Sequence, residues 1–389
     1  MLPLLALLVV CFAAQAFAWA WVASGLRRVR EGEPDALAPE ATSPLPVSVV
    51  VAAHDEEASV GALLDALAEQ THRPFEVVVV DDRSSDRTAE IVRARAQRFP
   101  VSLRLVQVRE TDEPAAQHYL ADPWTDEATV RLPPKKNALT RGIRAASHDR
   151  LALTDADCAP PPGWLAGLAR EASAHPDAVL VGYGPLTGEG WLGRFCRYET
   201  TVTAALSVAG VGHGRAWHAT GRNLSYPRSL WERLNGFHPH ARSLSGDDDL
   251  FVQHARSHGA EVRYVLDPRT FVPSPAPPDA RRFWRQKRRH ASAGAHYRPG
   301  VLAALGALQV SSLALWIGAP LLALVWGNGW GWGLLGARLL LQRAALSRAW
   351  DALHARPDLR LWHPALDAAH AAYQLGALVL GALPTPRRW

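Results

Sequence analysis

The chain has 389 residues, a formal net charge of +5 at pH 7, 48% hydrophobic residues and 20% charged residues. That length is too great for a single small core and leaves room for more than one folding unit, and neither a nucleic-acid nor a protein partner is expected. Only three of the 42 basic residues are lysine, Lys135, Lys136 and Lys287. Most arginines therefore carry little functional information, whereas two adjacent lysines mark a place where a compact ammonium is wanted. Cys11, Cys158 and Cys196 have neither metal-ligand spacing nor a paired pattern, so a reducing compartment is the simplest inference.

Leu2 to Leu26 carries no charged residue and is long enough to cross a bilayer, which takes about 20 apolar residues. Arg27, Arg28 and Arg30 follow directly, and cationic flanks stay on the cytoplasmic side, so the segment reads as an uncleaved anchor with the next domain inside the cell. The competing reading is a signal peptide cleaved near Ala16-Phe17-Ala18.

From Pro46 to Pro278 strands and helices alternate. Val47 to Ala52 reads as a buried strand, followed by an amphipathic helix near Ala58 to Gln70 in which Val60, Leu63, Leu64 and Leu67 recur at helical spacing. Phe75 to Val80 is a second strand ending at Asp81-Asp82, and Ser84 or Ser85 is expected to cap a helix running towards Phe99, with Asp86 in its first turn. Leu103 to Val108 reads as a third strand, and Lys135 to Ala146 as a helix. Arg109 to Pro134 shows no clear period and reads as a loop, either a cover over the site or an insertion. The apolar run Leu151 to Thr154 then closes on Asp155-Ala156-Asp157. Two carboxylates that close resist joint ionisation unless a cation lies between them, so this is a candidate divalent-metal site.

Strand-helix units of this kind imply an α/β fold, a sheet covered by helices on both faces with ligands at the carboxyl ends of the strands. His54, Asp55, Glu56, Asp81, Asp82, Asp155 and Asp157 all fall at those ends.

Val301 to Val325 is a second charge-free stretch, broken only by Pro320, and reads as a span. Gly327 to Leu341 is either a return span with snorkelling arginines or an interfacial segment. Ser347 to Arg360 has the polar, basic character of a cytoplasmic loop, and Leu361 to Leu383 is apolar apart from Asp367 and two histidines.

The order of the motifs resembles a membrane-anchored family 2 glycosyltransferase with the GT-A fold, the group that includes processive polysaccharide synthases and ceramide glucosyltransferase. His54-Asp55-Glu56-Glu57 after the first strand is similar to the family's opening Asn-Glu, with Asp where Asn is usual. Val80 to Thr88 closely matches its second-strand signature, and Lys135-Lys136-Asn137-Ala138-Leu139 with Gly142 resembles its Gly-Lys-x-x-Ala-Leu element, with Pro134 for the usual Gly. Asp155-Ala156-Asp157 falls at the family's metal site. Gly221 to Tyr226, followed by Leu234-Asn235-Gly236-Phe237, looks like the acceptor-side segment, and Ser245 to Leu250 occupies the place of the Glu-Asp motif that holds the catalytic base. Gln286-Lys287-Arg288-Arg289-His290 resembles Gln-x-x-Arg-Trp, with His for Trp.

The resemblance implies a mostly parallel, mixed Rossmann-like sheet with helices on both faces, flanked by transmembrane helices. It divides the chain into an anchor (1–26), a linker (27–45), the GT-A domain (46–278), a basic interfacial helix (279–298) and a C-terminal membrane region of two to three helices (299–389). It also implies multi-pass residence in the bacterial cytoplasmic membrane, a nucleotide-sugar donor, expected to be a UDP-sugar, a lipid or glycan acceptor of the cell envelope, contact with membrane lipid, and Mg²⁺ or Mn²⁺.

Residue by residue, Ala53, Asp55, Glu56, Asp81, Asp82, Lys135, Asp155, Gln286, Arg288 and Arg289 are assigned to the donor, Asp155 and Asp157 to the metal, and Gly221 and Asn223 to the acceptor side. Asp247 or Asp248 is the base, Asp247 being preferred; clustering with Asp248 and Asp249 is expected to raise its proton affinity. The acidic triplet also suits a helix start. Arg281 to His290 also suits a basic helix lying on anionic lipid. Two other functions would use part of this pattern: a membrane nucleotidyltransferase, which would release pyrophosphate, and a non-catalytic nucleotide-sugar sensor.

Overall fold

A computed structural model of the protein describes residues 1–32, 44–109 and 132–381. In chain order, α1 (Leu2–Glu31) precedes β1 (Val47–Ala53), α2 (Val60–Ala68), β2 (Phe75–Asp82), α3 (Thr88–Ala96), β3 (Leu103–Val108), α4 (Pro134–Ala145), β4 (Arg150–Asp155), α5 (Trp164–Ala174), β5 (Val179–Gly182) and β6 (Leu186–Thr187). Then come α6 (Gly190–Gly212), β7 (Leu224–Pro227), α7 (Arg228–Arg233), α8 (Asp249–Ser257), β8 (Val262–Val265), β9 (Ser274–Pro275) and α9 (Ala280–Gly294), before α10 (Pro299–Trp326), α11 (Trp330–Ala352), α12 (Asp358–Leu361) and α13 (His363–Gly381). The chain forms two compact units. One is built from Pro34–Thr187 and Ala216–Pro275, the other from Met1–Glu33, Gly188–Arg215 and Ala276–Thr385.

The first unit is an α/β fold, a mixed and mostly parallel sheet covered by helices. Its seven-stranded sheet has the order β3-β2-β1-β4-β7-β5-β8 among the described residues. β1 pairs in parallel with β2 and β4, and β2 with β3, whereas β7 runs antiparallel to both β4 and β5. Every residue of β1 and β2 is buried, because both are runs of β-branched side chains covered on two faces. Val60, Leu63, Leu64 and Leu67 of α2 pack into that core with Val49, Val51, Val77 and Val79. On α4, a Cβ at Gly142 would lie 2.6 Å from Val50 Cγ1 and 2.9 Å from Val80 Cγ2. The helix therefore lies close on β1 and β2, which fixes where Lys135 and Lys136 in its first turn emerge. The register sets Ala53 opposite Asp81 and Ala52 opposite Asp155, so the acidic ends of β2 and β4 flank the end of β1.

The expected serine cap of the third helix is not what the chain uses. α3 starts at Thr88, whose backbone N–H donates to Asp86 Oδ1 at 2.9 Å. Ser84 and Ser85 are engaged elsewhere: Asp55 N–H donates to Ser84 Oγ at 3.0 Å, and Ser85 N–H donates to Asp55 Oδ1 at 2.7 Å. The hydroxyls thus tie the turn after β2 to the turn after β1. Of the stretch expected as a loop, residues 110–131 lie outside the described residues.

In the second unit, α1 and α10 are long and apolar enough to cross a membrane. α1 packs on α6 where Gly25 and Gly212 meet; a Cβ on either would strike the opposing backbone, the close approach that small residues permit between helices. The polar stretch expected as a loop from Ser347 is helical as far as Ala352, and Asp358 to Leu361 forms α12.

Inside this unit Arg338 of α11 and Asp367 of α13, both 2% exposed, form an ion pair. Trp316 Nε1 donates to Asp367 at 2.8 Å and Gln342 Nε2 at 2.7 Å, while Arg338 donates to Ser312 Oγ at 2.8 Å. Gln15 of α1 joins them by accepting from Arg338 at 3.3 Å and donating to Ser311 at 2.8 Å. A buried charge that loses its partner costs about 3–5 kcal/mol, whereas an apolar replacement of the pair is near neutral. Asp367→Ala is accordingly expected to lower the thermal midpoint in detergent markedly and the double change Arg338→Met with Asp367→Leu to restore most of it; equal midpoints for all three proteins would contradict this.

Candidate functional site

β4 delivers Asp155 at its carboxyl end; Ala156, 2% exposed, anchors the turn, and Asp157 follows with its side chain at the surface. The ligand atoms of Asp155, Asp157 and Cys158 lie within 4.8 Å of one another. Partial removal from water and repulsion by Asp155 raise the Asp157 carboxyl above its usual range, with Arg222 opposing. Burial pushes the Cys158 thiol far up, with both aspartates adding to the effect, so it stays protonated; its sulfur lies 3.7 Å from Asp157 Oδ1. The donor set offered to a cation is thus two carboxylates, which suits a hard ion such as Mg²⁺ or Mn²⁺ better than a thiolate-seeking one.

Lys135, from the first turn of α4, donates to Asp155 Oδ1 at 2.9 Å and lies 3.2 Å from Asp247 Oδ2. One ammonium therefore reaches a carboxylate on each side of the crevice. Asp247 is 5% exposed. It follows Gly246, whose φ of +89° is a conformation that a side chain would strain and whose Cα faces the packed Leu250 side chain. Asp248 has a different task. Its Oδ1 accepts from Asp249 N at 2.7 Å, capping α8, and its Oδ2 accepts from Gly221 N at 2.9 Å. Burial first, then Asp247, raises the Asp248 carboxyl. With both its oxygens held by backbone donors, Asp248 is tied to the scaffold and less available to a substrate hydroxyl than its neighbour. Gly221 lines the same spot: a Cβ there would lie 3.3 Å from Asp247 Oδ2 and 3.5 Å from Lys135 Nζ.

Lys136 lies beneath, fully buried, and donates to the carbonyls of His240 at 2.6 Å and Ser243 at 2.8 Å. It props the loop that carries Asp247. Burial lowers its ammonium to about 8, with Asp247, Asp249 and Asp248 holding it up. Lys136→Met removes both bonds and is expected to lower kcat roughly 10–100-fold through misplacement of Asp247, with donor affinity nearly unchanged. Unchanged kcat in steady-state assays would mean that the loop holds without it.

The turns after β1 and β2 complete the acidic rim. Asp81 is buried, and its carboxylate accepts from Gln107 Nε2 at 3.1 Å and Ser84 N at 3.3 Å. Asp82 Oδ1 accepts from Arg83 Nε at 2.8 Å. Asp55 sits at φ +55°, fixed by Ser84 and Ser85. Glu56, held by the Ser59 hydroxyl, is raised mainly by burial and further by Asp157 and Asp155. Ala53 is buried at the end of β1.

One expected acceptor-side residue is occupied elsewhere. Asn223 is fully buried; its amide donates to the carbonyls of Tyr183 at 2.9 Å and Thr270 at 2.7 Å and accepts from Trp164 Nε1 at 3.0 Å. It joins the end of β5, α5 and the segment before β9, and with both amide hydrogens used and the side chain fully buried it presents nothing to an acceptor. Lys136, singled out from sequence together with Lys135 but given no role, is a contributor from beneath, and Arg222 is one to which sequence reasoning assigned nothing. Arg222 donates to Gly184 O at 3.1 Å and Ser274 Oγ at 3.2 Å and offsets the charge of Asp157. In a chain with so many arginines its identity gave no signal.

Gln286, Arg288 and Arg289 belong to the other unit, on α9, which Asp279 caps by accepting from Arg282 N at 2.8 Å. There Lys287 is turned inward, 2.7 Å from Glu199 Oε2 and 5.6 Å from the ring centroids of Phe283 and Tyr373.

Comparison with known proteins adds the family. The sequence model of glycosyl transferase family group 2 matches residues 151–359, and that of glycosyl transferase family 2 matches residues 48–117. A probable glycosyltransferase, YdaM of Bacillus subtilis, is 25% identical over 264 residues, 63% of this chain and 54% of that protein. The undecaprenyl-phosphate 4-deoxy-4-formamido-L-arabinose transferase of Pseudomonas aeruginosa is 30% identical over 136 residues, 34% of each. The chain thus spans about half or less of the curated relatives it matches. Among solved structures, a mannosyltransferase from Pyrobaculum calidifontis in complex with GDP-Man and Mn²⁺ superposes with a TM-score of 0.55 at 21% identity, covering 96% of this chain and 98% of that one. At that identity the likeness is one of fold.

Proposed function

The chain belongs to glycosyl transferase family group 2 and is a glycosyltransferase; from that premise we propose that it transfers a sugar from a nucleotide-linked donor, a UDP-sugar, to a lipid or glycan acceptor at the cytoplasmic face of the membrane, with inversion and with a divalent cation. The observation that carries the reading is the single ammonium of Lys135 within reach of both Asp155 and Asp247, which puts the metal-type carboxylates and the candidate base at one crevice. The relatives add support, since one is named for an undecaprenyl-phosphate substrate. For the membrane, the support is α1 and α10, with Arg27, Arg28 and Arg30 at the cytoplasmic end of the first.

Asp155 and Asp157 would hold Mg²⁺ or Mn²⁺, which when bound supplies counter-charge for the departing diphosphate. Asp81, Asp82 and the backbone of Ala53 are proposed to receive the nucleoside, and Lys135 to turn from the carboxylates to the phosphate oxygens once the donor is present. Gln286, Arg288 and Arg289 keep their assignment to the donor on the motif alone. The acceptor hydroxyl attacks the anomeric carbon, its proton passes to Asp247, and the bond between that carbon and the diphosphate oxygen breaks with both electrons leaving on the diphosphate. A single displacement converts an α-linked donor into a β-linked product.

The test is a donor screen in native lipid extract that reads nucleoside diphosphate. Release with one UDP-sugar and a β-linked product is expected. Pyrophosphate as the product, or nucleotide binding without turnover across all donors and a broad acceptor panel, would contradict the reading.

A further inference from the structure

At the charged end of α1 the second unit contains a cavity of about 650 Å³. It is lined by Ala20, Ala23, Ser24 and Leu26, with Arg27 and Arg30 from α1 and Arg348 from α11. Glu31 is the one acidic lining residue; it lies 3.6 Å from Arg27 in a pair exposed on both sides, which leaves two positive charges over. Among the described residues no ion pair involves Arg30 or Arg348; the latter reaches only the carbonyl of Ala344 in its own helix, at 3.5 Å. Arg28, by contrast, is turned to the His213 ring at 3.1 Å. Three cations lining one cavity repel each other, and an anion bound among them relieves that repulsion.

The wall says which anion. Residues 20 to 26 end the charge-free run of α1, so the mostly apolar part of the lining directly adjoins the basic residues that follow it. The space is far larger than a phosphate ion needs. α11 begins at Trp330, beside the end of α10, and Arg348 lies 18 residues on, a rise of about 27 Å at 1.5 Å per residue, which spans most of a hydrocarbon core of about 30 Å. Guanidinium forks suit phosphate oxygens, and basic pockets between helices on the cytoplasmic side receive anionic headgroups.

We propose that this cavity binds the phosphate headgroup of an anionic phospholipid of the inner leaflet, its acyl chain leaving along Ala20 and Ala23. The site goes beyond sugar transfer and rests on the proposed membrane reading, with α1 and α11 crossing the bilayer and their arginines on its cytoplasmic side.

The test uses the full chain in nanodiscs of mixed phosphatidylglycerol and phosphatidylcholine, with native mass spectrometry of the released protein reading the lipids it retains. Phosphatidylglycerol is expected to be enriched on the wild type, and Arg30→Gln with Arg348→Gln to reduce that enrichment roughly tenfold or more. Arg98→Gln with Arg144→Gln, which removes the same charge from exposed positions of the other unit, is expected to leave it intact. Thermal unfolding of each variant shows that it is folded. Equal retention of the two lipids by the wild type, or enrichment unchanged in the folded Arg30/Arg348 variant, would overturn the proposal. So would inorganic phosphate retained by the wild type where neither lipid is enriched, which would assign the cavity to a soluble anion. Sugar transfer is not read, so failure here leaves the enzymatic reading untouched.

Discussion

Asp247→Asn is expected to lower kcat by about 10²–10⁴ while leaving donor affinity within roughly twofold, because an amide keeps the shape of the side chain but cannot take the acceptor proton. The choice of Asp247 over Asp248 follows from where the oxygens go. Asp248 gives one to Asp249 N and the other to Gly221 N, whereas Asp247 faces the Lys135 ammonium in the crevice. Asp248→Ala should therefore behave as a cap mutation, costing about 1 kcal/mol of stability and much less rate. Steady-state kinetics and chemical denaturation of the two variants separate these roles; the reverse ranking would exchange them.

Asp157→Asn, or EDTA on the wild type, is expected to reduce transfer by on the order of 10²–10³, since the diphosphate leaves with negative charge that has to be met in a site partly removed from water. Mn²⁺ should restore the chelated wild type and fail to restore the variant. The electrostatics of the crevice point the same way. Burial first, and repulsion by Asp155 among the further causes, raises both Asp157 and Glu56, and a cation bound between the carboxylates would relieve that repulsion. Transfer that survives both EDTA and Asp157→Asn would remove the cation from the mechanism.

What could be read from sequence divides along a physical line. β1, β2 and β4 were legible because unbroken runs such as Val77-Val78-Val79-Val80 have no stable place except between two covered faces, and the aspartates that follow mark where the core ends. The chain ends of those strands then had to gather, since β1 lies between β2 and β4. Side chains whose partners are remote in sequence were not legible. Lys136 sits next to Lys135 and has the same chemistry, yet one helical step turns it into the core towards the carbonyls of His240 and Ser243. Asn223 reads as an acceptor residue from its local motif, Gly221 to Tyr226, which resembles the family's acceptor-side segment, but its amide is used by Tyr183, Thr270 and Trp164. Ser84 and Ser85 looked like helix caps for the same local reason, and the competing partner was Asp55, some thirty residues earlier. The polar residues of the terminal region misled in the other direction. Arg338 and Asp367 weaken the apolar pattern of α11 and α13, and their mutual pairing, which removes that penalty, is a tertiary fact.

The most direct measurement is Mn²⁺ binding followed by electron paramagnetic resonance in the presence of UDP, on the wild type, Asp157→Asn and Asp247→Asn. One nucleotide-dependent Mn²⁺ per chain, lost in Asp157→Asn and kept in Asp247→Asn, is the predicted result; an Mn²⁺ signal that Asp157→Asn leaves unchanged would contradict the placement of the cation at the end of β4.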